Sequence, residues 1–163
     1  MTTAGLQGLI LICLMALSGC SNKHSVSPAP AFTAKVHYKS KAGEDLLNSS
    51  TAGHIDVSDV KVSSIVLRSG ITTEIPTKLN ALDPCPTYVC NSVTTGYYVN
   101  FVPDFEYRGT LIRFGTSRTD TLSYETIPMN SSVGISKVLY KGHEIWALPT
   151  AYTSTDMDIT IVE

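Results

Sequence analysis

From Phe32 onward the chain reads as short alternating runs separated by turn signals, and no stretch carries a sustained 3.6-residue apolar stripe. "FTAKVHYKS" places Phe32, Ala34, Val36 and Tyr38 on one face and Thr33, Lys35, His37 and Lys39 on the other. That period of two is the signature of a half-buried strand. "KAGEDLLNSST" reads as a loop with one short turn around Leu46-Leu47. Strand patterns follow in "IDVSDVKVSSIVLRS", with Val60 and Val62 alternating before Ile65-Val66-Leu67, and in "ITTEIPTKL", joined at Arg68-Ser69-Gly70. "GYYVNFV" comes next, then "TLIRFG" and "DTLSYETI" on either side of a turn. "ISKVLY" and "HEIWAL" flank Lys141-Gly142, a second strong hairpin signal. "MDITIVE" puts Met157, Ile159 and Ile161 on one side. About eight to ten short strands at such spacing predict an all-β domain. The expected form is an antiparallel β-sandwich, Ig-like or similar, with a barrel as the alternative. No repeat of fixed period points to a propeller or solenoid.

The sequence has 163 residues, which is a prior for one domain. Charged residues make up 16% and the formal net charge is −2. No basic run or stripe is present, so the clustered phosphate-neutralising contacts of a nucleic-acid binder are missing.

The first twenty residues are of another kind. "LILICL", continued by Met15 to Leu17, is too short to cross a bilayer but has the length of a signal-peptide apolar core. Leu17-Ser18-Gly19-Cys20 follows, an aliphatic residue, two small residues and a cysteine. This segment resembles the lipobox of bacterial lipoproteins. The resemblance implies cleavage before Cys20, diacylglycerol on its sulfur and acylation of its new α-amino group. Two or three acyl chains make a stable anchor where one does not. The leading "MTTAGLQG" carries no Lys or Arg, so the α-amino group alone supplies the positive end, or translation starts elsewhere. Residues 1–19 are therefore expected to be a signal peptide, 20–31 a lipidated tether and 32–163 one β-domain. Ser21, in place of an aspartate, points to the outer membrane under the enterobacterial sorting scheme. "CSNKHS" lacks an acidic surface-export cluster, so the expected face is periplasmic. "SNKHSVSPAPA" is polar and proline-containing and reads as an extended spacer, with His24 solvated.

The order of features also resembles small Bacteroidota lipoproteins of unknown function. The matching pieces are Asp45-Leu46-Leu47, Asp120-Thr121-Leu122 and Val138-Leu139-Tyr140-Lys141-Gly142. The likeness implies no activity.

Cys13 falls in the cleaved segment and Cys20 is expected to be lipidated, which leaves Cys85 and Cys90 in "DPCPTYVCN". An even pair in an exported domain reads as a disulfide. It could be a structural staple or could stiffen a recognition loop with Tyr88 at its tip. A redox pair favours Cys-x-x-Cys, and a zinc site wants four ligands, so both fit poorly.

His37, His54 and His143 show no metal-ligand spacing, and His143 reads as a solvated hairpin residue. No cofactor or metal is expected. Asp56/Asp59, Asp104/Glu106 and Asp156/Asp158 are acidic pairs. They read as solvated or edge-strand charges that discourage edge pairing. The aromatics are more suggestive. Tyr88, Tyr97, Tyr98, Phe101, Phe105 and Tyr107 cluster beside the cysteine loop. Adjacent strand residues alternate, so one of Tyr97 and Tyr98 is expected to be exposed. Tyr88, Tyr97, Tyr98 and Tyr107 form the candidate binding surface, because tyrosines combine an apolar face with a polar tip. The expected function is a non-catalytic interaction module docking an envelope protein. A glycan- or small-ligand-binding lipoprotein is the alternative, and a hydrolase the third reading.

Overall fold

The computed structural model describes residues 33–68, 71–77, 85, 87–104, 107–129, 132–149 and 156–163. The signal peptide, Cys20, the tether with His24, Phe32, Phe105 and Glu106 lie outside them. Ten strands run in order: β1 (Thr33–Lys39), β2 (Val60–Arg68), β3 (Ile71–Pro76), β4 (Val89–Ser92), β5 (Gly96–Phe101), β6 (Gly109–Phe114), β7 (Arg118–Met129), β8 (Ser132–Tyr140), β9 (His143–Ala147) and β10 (Asp156–Val162). They form two sheets, ordered β10-β1-β5-β4 and β3-β2-β6-β7-β8-β9. The fold is an all-β sandwich. Neither sheet closes on itself, which removes the barrel alternative.

The hairpins sit where the turn signals predict. Lys141 and Gly142 both take positive φ, 51° and 80°, as a two-residue primed turn between β8 and β9 requires. Alternation also holds in β10, where Met157, Ile159 and Ile161 are buried and their neighbours exposed. Two expectations are corrected. The sandwich is not wholly antiparallel: β1 and β10 run parallel, pairing Ala34 with Met157, Val36 with Ile159 and Tyr38 with Ile161. The chain changes sheets between β9 and β10, so no tight turn dictates direction, and this register buries both apolar rows on one face. Nor is β1 half-buried. It lies between β10 and β5, and Thr33 and His37 on its second face are buried as well.

One core joins the two sheets. Tyr38 of β1 meets Phe114 of β6 edge to face, with ring centroids 5.3 Å apart. Val36, Val99, Ile112, Leu122 and Ile159 fill the layer between the sheets. Leu46 and Leu47 enter the same core from the loop after β1. The Leu46 amide donates to the Tyr38 carbonyl and its own carbonyl accepts from the Ile55 amide, which holds that loop against the strand.

Candidate functional site

The strand edges leave two open flanks, and each holds a cleft. The first, about 580 Å³, lies where edge strand β4 faces the start of β2. Val57, Ser58, Val60, Thr87, Tyr88, Val89 and Tyr97 line it. Val89, Tyr97 and Val99 share one face of the sheet, because Val89 pairs with Val99 and alternation carries Tyr97 to the same side. Apolar side chains form most of the wall, with the Ser58 and Thr87 hydroxyls at hand.

This wall is fixed from behind. The Tyr97 amide donates to Asp45 Oδ2 at 2.7 Å, and the Leu47 amide donates to Asp45 Oδ1 at 3.1 Å. Lys39 Nζ stands 3.6 Å from the same carboxylate. Gly96 lies at φ 80°, and a Cβ there would come within 2.4 Å of Asp45 Oδ2. Only glycine meets both conditions. Asp45 thus sets the entry of β5, while Leu46 and Leu47 anchor it in the core.

Tyr88 is not displayed at a loop tip. Its ring is half-buried and its hydroxyl donates to the Thr77 carbonyl at 2.6 Å, tying the cysteine loop to the end of β3. Burial raises its pKa above that of an ordinary tyrosine. The disulfide joins Cys85 to Cys90. Cys90 pairs with Tyr98, so it faces away from the cleft.

Tyr88 and Tyr97 therefore come together, and the other two candidates do not join them. Tyr98 occupies the opposite face, only 9% exposed, with its ring 5.6 Å from that of His37. The expectation that one of the adjacent tyrosines is exposed is not met: Tyr97 is half-buried and Tyr98 buried. Both faces of β5 are buried, Val99 and Phe101 on one and Tyr98 and Asn100 on the other. Tyr107 sits before β6, where its amide donates to the Asp104 carbonyl. Phe101 belongs to the core. His37 donates from Nδ1 to the Tyr97 carbonyl at 3.2 Å, and His143 is exposed on the β8–β9 hairpin. Lys61 pairs with Asp59, and Lys35 with Asp156 on edge strand β10. Among the described residues no three His, Cys, Asp or Glu side chains gather as a metal site.

The second cleft, about 590 Å³, lies between the β8–β9 hairpin and β10. Tyr140, His143, Ile145, Ile161 and Glu163 are among its walls. Behind it is a charged cluster. Arg118 Nε donates to Asp120 Oδ2 at 2.6 Å, and its two terminal nitrogens donate to the Glu163 carboxylate. The Tyr140 hydroxyl donates to Asp120 Oδ1 at 2.9 Å. The guanidinium also lies over the Tyr38 and Phe114 rings, at 5.0 and 5.8 Å. Burial pulls the Arg118 pKa down, but the Glu163 and Asp120 carboxylates outweigh it and hold the charge firmly on. Arg118 in turn holds the Glu163 carboxyl below its usual range. With Arg118 bound to both carboxylates and Tyr140 to Asp120, the chemistry of the cluster is that of a clamp between sheets.

Sequence reasoning missed this cluster, although a signal exists. Asp120 and Leu122 share a face by alternation, which puts a carboxylate on the core side of β7. Two of the short motifs meet here, since Asp120 heads one and Tyr140 belongs to another. Comparison with protein-family models, with curated proteins and with solved structures finds no match to this chain.

Proposed function

We propose that this is a lipid-anchored envelope protein, held by acyl chains on Cys20, whose β-sandwich is a non-catalytic module that docks an envelope partner. The lipobox-like Leu17-Ser18-Gly19-Cys20 supports the anchor, Ser21 supports the outer membrane, and the lack of an acidic cluster in "CSNKHS" supports the periplasmic face. The cleft at Tyr88 and Tyr97 carries the docking role. It is an apolar, tyrosine-walled recess on an open sheet edge, held by Asp45 and the Tyr88–Thr77 hydrogen bond. A preformed aromatic recess lowers the ordering cost of binding.

The test is mild cross-linking in cells, purification of the full-length protein and identification of what accompanies it. A stoichiometric envelope protein, lost with Tyr97→Ala in a chain that still folds, is the expected result. Absence of any partner, with saturable glycan binding that Tyr88→Ala abolishes, would replace this reading by the glycan-binding one. Cys20→Ala should leave an uncleaved precursor free of diacylglycerol; mature-size, membrane-bound protein would overturn the anchor.

A further inference from the structure

Among the described residues the two sheets leave four open edges, and three of them are blunted. Edge strand β4 is four residues long, and the Thr87 hydroxyl donates to the Val89 carbonyl at 2.8 Å. β9 is broken by a register shift where it meets Val138 and Leu139 of β8. β10 carries the exposed Asp156 and Asp158. Short edges, bulges and charges are the usual devices against strand addition. The fourth edge has none of them along most of its length. β3 keeps an unbroken register with β2, and all six of its residues are exposed. Its single charged residue, Glu74, is turned back over its own sheet, where Arg113 of β6 donates to both carboxylate oxygens.

The register shows which backbone groups β3 offers. The Thr77 amide donates to the Val62 carbonyl at 2.9 Å, and this pair continues the β2–β3 register. Hydrogen-bonded pairs alternate with open ones in an antiparallel ladder, so Ile71, Thr73 and Ile75 bond to β2. Thr72 and Glu74 then turn both N–H and C=O to the free edge. Pro76 stands where its missing N–H faces outward. The Ile71, Thr73 and Ile75 side chains share the face of Ser64 and Val66, with Ile71 68% and Ile75 38% exposed.

This edge is complementary to itself. Set two copies antiparallel about a two-fold axis at Thr73. Thr72 of each then lies opposite Glu74 of the other, and each of those N–H groups finds a carbonyl. Ile71 meets Ile75 of the second copy in the pairs where side chains stand closest. Moving the axis to Glu74 sets two carboxylates directly opposite and gives Thr72 a proline that cannot donate. Moving it to Thr72 carries Glu74 past the start of the opposing strand.

We propose that β3 is a self-association edge, on which two copies of this chain pair antiparallel about Thr73 and join two six-stranded sheets into one. Six residues a side are far fewer than the ~20–30 of a standard interface, so the dimer is weak and depends on concentration. A cysteine at the axis traps it. Thr73→Cys would stand about 4.5 Å from its copy between Cα atoms, within the ~4.4–6.8 Å that a disulfide spans. Purified full-length protein is oxidised mildly over a concentration series, with Thr116→Cys, exposed on the β6–β7 turn, as the collision control. The expected result is a linked dimer at 73 that rises with concentration and exceeds that at 116. Within the Thr73→Cys chain, Ile71→Lys/Ile75→Lys should abolish the link. Ile71→Lys/Ile75→Glu should restore it, because the register sets 71 against 75, and restoration also shows that the altered edge still folds. No link at 73, or as much as at 116, overturns the proposal. So does a link that Ile71→Lys/Ile75→Lys leaves unchanged in protein that melts with the parent. Linking of position 73 in cells to a different protein, without the homodimer, would assign the edge to that protein and overturn self-pairing.

Discussion

Gly96 and Asp45 show how much a single contact can settle. The glycine is both in the left-handed region and in van der Waals range of the carboxylate that receives the Tyr97 amide. Gly96→Ala should therefore cost about 1–3 kcal/mol, the scale of local backbone strain, with displacement of Asp45 adding to it. Gly43→Ala has the same kind of φ, 85°, but open space around it, and should cost less. Comparing the two melting temperatures separates strain from collision; equal losses would mean that Asp45 moves freely. At the disulfide, Cys85→Ser/Cys90→Ser closes no long loop and should lower stability by about 2 kcal/mol, read in denaturant titration.

At the scale of elements, the Arg118 cluster ties β7 and β8 of one sheet to the end of β10 in the other. Arg118→Met strands the buried Asp120 carboxylate, only 5% exposed, and should fall at the low end of the ~3–5 kcal/mol that breaking a buried pair costs. The low end is expected because part of the guanidinium meets water. The pH dependence has a definite sign. Glu163 has a folded pKa below its unfolded one, so its contribution is complete above the ordinary carboxylate range and disappears as the pH falls through the folded value. Glu163→Gln should flatten that acid limb of a stability–pH profile; an unchanged limb would assign it elsewhere. The strands other than β4 were legible, because alternation and turn residues are local; β4, four residues inside the cysteine loop, was not. Arg118, Asp120, Tyr140 and Glu163 were not, because their meeting depends on which sheet β10 joins. The same holds for the candidate site. The aromatic cluster was visible, but only the side on which the sheet packs against its partner decides that Tyr97 faces the cleft and Tyr98 does not.

For the whole molecule, the parallel pairing of β1 with β10 has a consequence for timing. Every other strand pair can form from segments already made, yet β1 gains this neighbour only when the final strand arrives. Contacts of such sequence separation are slow to form. Until then Ala34, Val36 and Tyr38 lack the apolar row of Met157, Ile159 and Ile161 beside them. The first strand is thus the last to be completed: β5 can flank it early, and its other edge stays open until the tenth strand is made.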